Sequence, residues 1–187
     1  PDLVGEPFAQ LAGLLLGGQG PLGAEHPLPV RVFFGEPDRA LLQQVLDCAT
    51  VGLCAEMLGA TSQVFDDTVN YLKTRIQFGV PIGSFQALKH RAAKVFMEIE
   101  LARSAVMAAA RAADAGDEDF ERVVSLAKAR CSDAFVLAAN EAVQMFGGVG
   151  MTDEYDVGFY LKRARVAEMT FGDAAWHRER YARLGGY

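Results

Sequence analysis

The sequence predicts an all-α fold, an antiparallel helical bundle preceded by a short irregular or extended segment over residues 1–35. Three observations carry this expectation. From Asp38 onward apolar residues follow helical spacing almost without interruption, and Gly and Pro cluster at only a few points, which read as helix ends. Phe85, Leu88, Ala92, Val95, Phe96, Ile99, Ala102 and Val106 recur at three- and four-residue steps, forming one stripe along a long helix. The chain has 187 residues, 51% apolar and 22% charged, enough for one compact domain with a substantial core over residues 36–187.

Residues 1–34 are rich in Gly, Pro and Leu, and Val30 to Phe34 look like a strand leading through Gly35-Glu36-Pro37-Asp38 into the bundle. A first long helix is expected from about Pro37 to Phe78, eased by Gly52 and Gly59 and stopped by Gly79 and Pro81. The second starts near Ser84 and ends near Gly116, with Lys89, Arg91, Lys94 and Glu98 opposite its apolar stripe. A third, from about Glu118 to Met145, has acids in its first turn, suiting the positive end of the helix dipole, and closes on Gly147-Gly148. Because Phe135, Val136 and Leu137 are consecutive, this helix needs apolar neighbours on more than one side, which suggests burial in an oligomer. Segments from about Tyr155 to Thr170 and Asp173 to Leu184 complete the bundle.

Composition also excludes classes of function. The net charge of −6 is spread along the chain, and no Lys/Arg-rich block offers a surface for nucleic acid. The greasiest early stretch, Leu11 to Leu16, falls short of the roughly 20 apolar residues of a membrane span, and no charged n-region precedes it. Cys48, Cys54 and Cys131 are odd in number and lack ligand-like spacing. They read as reduced core thiols of a cytoplasmic protein, with no metal site.

The chemistry concentrates at two junctions. Arg75 and Gln77 sit just before Gly79, where a planar, permanent guanidinium can reach a phosphate and an amide can donate and accept. A basic residue there can equally complement the helix dipole. Gly147, Gly148 and Gly150 leave little side-chain bulk, so backbone can approach a ligand closely, although a Gly pair after a helix is also an ordinary C-cap.

Taken together, the run Arg75-Ile76-Gln77-Phe78-Gly79-Val80-Pro81-Ile82-Gly83-Ser84-Phe85-Gln86, the block Gln144-Met145-Phe146-Gly147-Gly148-Val149-Gly150-Met151 and Tyr160 to Arg165 closely resemble signatures of the flavin-dependent acyl-CoA dehydrogenases. The resemblance covers about Gly35 to Tyr187, the C-terminal helical domain of that family. It implies FAD at a subunit interface: Arg75 and Gln77 on the pyrophosphate side, Phe78 packed beside the cofactor, Gln144, Gly147 and Gly148 facing the adenosine part. It further implies desaturation of an acyl-CoA thioester between its α- and β-carbons, in a tetramer-like assembly that passes electrons to an external acceptor. The segment holding Arg163 and Arg165 is architectural in that family.

One block departs from the pattern. Where the family reads aromatic-Glu-Gly-Thr, with Glu as the base that removes the α-proton, this chain reads Phe171-Gly172-Asp173-Ala174-Ala175-Trp176-His177-Arg178. Gly172 stands at the Glu position, and small residues there and at Ala174 suggest a cleft widened for bulky cargo such as a steroid side-chain CoA ester. A minority of relatives place the base on the first long helix, where counting back from Arg75 lands at Ala49, flanked by Asp47 and Glu56. Asp173 is a candidate base or, alternatively, an N-cap for the last helix. His177 is a further titratable group that is commonly packed or solvated. The backbone N–H of Gly172 can still polarise a thioester carbonyl. The resemblance therefore points to a subunit of a homo- or heteromeric acyl-CoA dehydrogenase whose homologous partner supplies the base. The contrasting expectation is a helical interaction subunit that has lost flavin chemistry. Residues 1–35 are too few for the family's two preceding domains and read as their remnant.

Overall fold

The computed structural model describes residues 38–187, so the expected strand at Val30–Phe34 and the segment 1–35 lie outside the described residues. Five α-helices make up the described part: α1 (Arg39–Thr74), α2 (Gln86–Ala115), α3 (Phe120–Phe146), α4 (Val157–Met169) and α5 (Ala174–Leu184). Between α1 and α2 lies a two-stranded antiparallel hairpin, β1 (Ile76–Gln77) and β2 (Val80–Pro81), with a 3₁₀ turn over Ile82–Ser84. Another 3₁₀ turn, Gly147–Met151, follows α3. The predicted all-α bundle is therefore observed.

Helix α3 is the centre of the bundle, packing against α1, α2, α4 and α5. Small side chains permit this close approach. Ala127, Ala134, Ala139 and Ala142 are buried on α3, against Ala102, Ala105 and Ala109 of α2 and Ala164 and Ala167 of α4. Phe135, Met57 and Val106 are buried members of the larger cluster. The consecutive Phe135, Val136 and Leu137 thus find apolar neighbours within one chain, and their pattern does not require an oligomer. The stripe on α2 is observed at Val95, Ile99, Ala102 and Val106, whereas Phe96 is exposed and meets Phe65 of α1 at the rim.

Two expected boundaries shift for identifiable reasons. Asp38 caps α1, its Oδ1 accepting from the N–H groups of Ala40 and Leu41. At the other end α1 stops at Thr74, four residues before the expected Phe78, because Arg75 adopts extended geometry and enters the hairpin. Gly52 and Gly59 lie within the unbroken helix. α1 is long and apolar enough to cross a bilayer by length and composition alone. It nevertheless carries Asp47 into an ion pair inside the bundle and sends the Thr50, Thr61 and Thr68 hydroxyls back to the carbonyls of Leu46, Met57 and Val64.

That ion pair anchors one of the buried polar clusters among the described residues. Arg180 of α5, 4% exposed, donates from both terminal nitrogens to the Asp47 carboxylate at 2.6 and 2.8 Å, and also to Ser125 and Glu121 of α3. Three helices are joined at one guanidinium. Of the three cysteines, Cys54 and Cys131 are core residues as expected, with the hydrogen bond to Cys54 and then burial pushing the Cys131 thiol well above its ordinary range, but Cys48 is exposed.

Candidate functional site

The chain places Arg75, Gln77, Phe78, Gln144, Gly147 and Gly148 around one cleft of about 540 Å³. One wall is the hairpin. Phe78 and Gly79 form its two-residue turn with φ of 54° and 78°, the paired positive values of a type I′ turn. Arg75 and Gln77 therefore project from extended backbone after the helix, not from its last turn as the sequence suggested. The Ile82 N–H closes the base of the hairpin on the Arg75 carbonyl at 2.9 Å.

The opposite wall is the end of α3. Gly147 caps the helix with φ 68°, and a Cβ at Gly147 or Gly148 would meet nothing within 4 Å, so open space lies against this backbone. Between the walls Tyr71 stacks on Phe146 with centroids 4.2 Å apart, and Tyr155 sets its ring edgewise against both. Sequence spacing missed Tyr71 and Tyr155. Tyr71 was legible as one more residue of α1 and Tyr155 as a helix start, and only the fold brings them together. No ion pair among the described residues uses Arg75. Phe78 is 87% exposed.

The second region singled out by the sequence is the turn from α4 to α5. Phe171 is in left-handed geometry at φ 59°, followed by Gly172 at φ 101°. A Cβ on Gly172 would lie 2.7 Å from Trp176 Cε3 and 3.2 Å from Cδ2. The expected widening of the cleft at Gly172 is therefore corrected: the indole occupies that volume. The Gly172 N–H reaches the Met169 carbonyl only at 3.4 Å, a long contact, while its own carbonyl accepts from the Lys128 ammonium at 2.8 Å. Asp173 is the N-cap of α5, its Oδ1 accepting from the Trp176 N–H at 2.8 Å.

His177 is buried at 1% exposure. Its Nε2 lies 3.0 Å from the Phe171 carbonyl, which can only accept, so Nε2 carries the proton and Nδ1 is left buried without a partner. Burial brings its pKa down to about 4, so the ring is neutral and enclosed and does not serve as an acid or base near pH 7. This has a measurable consequence. The unfolded chain, with the usual value of 6.5, binds the proton first, so the contribution is present above that pH and is lost as pH falls toward about 4. The loss amounts to about 3 kcal/mol for this shift. Denaturant titrations at pH 7 and pH 4.5 should show a smaller acid loss in His177→Gln than in the parent. Equal losses would refute it.

The other carboxylates near the empty base positions are committed elsewhere. Asp47 is held by Arg180, and Glu56 makes a two-point pair with Arg163 at 2.6 and 2.8 Å, which holds its carboxyl below the ordinary range. Ala49 between them is exposed. Arg165 pairs with Glu168 one turn on, so both arginines of that segment are engaged in surface ion pairs within the chain. Among the described residues no group of His, Cys, Asp and Glu is arranged to hold a metal ion.

A family model described as the acyl-CoA dehydrogenase C-terminal domain matches residues 39–185. The chain is 39% identical over 142 residues to the acyl-CoA dehydrogenase IpdE2 of Mycolicibacterium smegmatis, covering 76% of this chain and 43% of that protein. Among solved structures, butyryl-CoA dehydrogenase from Megasphaera elsdenii superposes with a TM-score of 0.77 at 30% identity, over 80% of this chain and 39% of that one. The ChsE4-ChsE5 complex from Mycobacterium tuberculosis gives a TM-score of 0.70 at 28% identity, over 77% of this chain and 38% of that one. The chain thus spans about two fifths of the length of these proteins.

Proposed function

Since the chain belongs to the acyl-CoA dehydrogenase family, with the helical domain as its matching part, we propose that it takes part in α,β-desaturation of an acyl-CoA thioester by holding FAD at a subunit interface, the catalytic base lying on a homologous partner subunit. The cleft between the hairpin and the end of α3 carries this reading. It offers what the dinucleotide half of FAD requires: a cation for the pyrophosphate at Arg75, amides at Gln77 and Gln144, unobstructed backbone at Gly147 and Gly148, and an aromatic face at Phe78. When bound, the flavin supplies the acceptor for the β-hydrogen as hydride.

Phe78 gives independent support. Left-handed geometry costs a non-glycine residue about 1–2 kcal/mol, and this ring is 87% exposed, so its packing within the described residues repays little. Contact with a cofactor or a second chain would supply the packing that the described residues do not. The partner-supplied base rests on the carboxylate inventory: Gly172 replaces the family Glu, Asp47 and Glu56 face arginines, and Asp173 caps a helix. A solved relative described as a complex of two named chains accords with such a division of labour. On this reading Gly172 contributes its N–H to the thioester carbonyl, and a separate acceptor removes the electrons.

The test is the full-length protein co-expressed with its homologous partner and purified for bound flavin. Removing a charged hydrogen bond of about 1.5–3 kcal/mol with Arg75→Leu is expected to weaken flavin retention roughly ten- to hundredfold, with folding unchanged. Asp173→Asn, which keeps an N-cap acceptor, is expected to retain α-proton exchange. A colourless complex would favour the interaction-subunit reading, and loss of exchange in Asp173→Asn would return the base to this chain.

A further inference from the structure

Lys128 is a fully buried lysine on α3, 0% exposed, and neither the cleft nor the expected signatures include it. Its ammonium donates to Ser132 Oγ at 3.1 Å, to the Glu168 carbonyl at 3.0 Å and to the Gly172 carbonyl at 2.8 Å. The Glu168 bond satisfies one of the carbonyls left open at the end of α4, as a helix cap does. The Gly172 bond lies beyond any helix. One residue earlier, the Phe171 carbonyl is held by His177 Nε2 at 3.0 Å. Two successive carbonyls are thus drawn inward by two buried side chains.

Peptide geometry converts this into a statement about donors. All peptides among the described residues are trans, so the C=O and the following N–H of each unit point in opposite directions. With the Phe171 carbonyl on His177, the Gly172 N–H points the other way. With the Gly172 carbonyl on Lys128, so does the Asp173 N–H. The 3.4 Å separation between the Gly172 nitrogen and the Met169 carbonyl leaves that N–H weakly engaged within the chain.

We propose that Lys128 and His177 are positioning residues that clamp the Phe171 and Gly172 carbonyls inward, so that the N–H groups of Gly172 and Asp173 form a two-donor edge for the oxygen of the acyl thioester as it gains negative charge. The functional half rests on the reading above that this turn faces the thioester; the clamp does not. A pair of backbone donors fixed before the substrate arrives stabilises an oxyanion without reorganisation, and it needs no side chain at position 172.

The experiment uses the full-length protein assembled with its partner. Lys128→Met keeps the length and apolar stem but removes the donors, Lys128→Gln keeps N–H donors, and Ala102→Gly in the core serves as a control chosen to lose similar thermal stability. Hydrogen exchange by mass spectrometry is read on peptides spanning residues 169–178, and turnover is separated into kcat and KM. Lys128→Met is expected to speed exchange at the turn at least tenfold beyond the control, and to lower kcat at least tenfold with KM within twofold. Lys128→Gln should fall between parent and Met. Should Lys128→Met fail to fold, Lys128→Gln and His177→Phe decide by the same readings. Exchange no faster than in the control overturns the clamp. Faster exchange with control-like kcat overturns the oxyanion role while leaving the clamp. If the parent complex binds no flavin and turns over no acyl-CoA, the proposed function fails and takes the oxyanion role with it, and the exchange measurement still judges the clamp.

Discussion

Restoring the family's carboxylate with Gly172→Glu is expected to destabilise the protein and to yield no desaturation by this subunit alone. The new Cβ would begin 2.7 Å from Trp176 Cε3, at a backbone φ of 101° that side-chain-bearing residues avoid. Overpacking of this kind costs about 1–3 kcal/mol, and left-handed geometry about 1–2 kcal/mol more. Because the conflict starts at Cβ, Gly172→Ala should incur most of the same loss, and Trp176→Ala in the Glu background should recover part of it. Thermal unfolding of the four proteins settles the matter. If Glu and Ala both lie within about 0.5 kcal/mol of the parent, the surface range for single substitutions, the indole is not what keeps this position a glycine.

The largest stability effect is expected at Arg180→Met. The guanidinium is the meeting point of Asp47, Glu121 and Ser125, and its loss strands the Asp47 carboxylate, itself 2% exposed, without a counter-charge. Breaking one side of a buried pair costs about 3–5 kcal/mol, whereas replacing both by apolar residues is often close to neutral. The double variant Asp47→Leu/Arg180→Met should therefore be more stable than Arg180→Met alone in urea titration. A single variant within about 1 kcal/mol of the parent, or a double variant no better than the single, would contradict this account.

Much of this was legible in the chain. Helical spacing gave five segments in the right order, because an amphipathic pattern reports which face a helix buries. Arg75, Gln77, Gln144 and Gly147 stood out through a family resemblance rather than through spacing, and it is the fold that brings the ends of α1 and α3 to one cleft. Other features depend on partners distant in sequence. Lys128, set between Ala127 and Ala129, looks like any solvated helix lysine until the carbonyls of Glu168 and Gly172 are known to converge on it. Phe78 and Phe171 gave no warning of positive φ, because phenylalanine is a poor choice for such turns and nothing in their spacing marks them. The open position at Gly172 looked like spare volume, since Trp176 reaches it through the geometry of the capped turn rather than through sequence adjacency.

Helix α3 has a further implication. It carries Lys128 beneath the α4–α5 turn and Gln144 at the cleft, sixteen residues farther along the same rod, or about 24 Å at the α-helical rise. The two halves of the site are held apart by a ruler graduated in single residues. One inserted or deleted residue between them would shift one half by about 1.5 Å and swing it by about 100° around the axis. Length variation is therefore best tolerated in the connections outside this interval, while the interval itself can vary in composition but not in count.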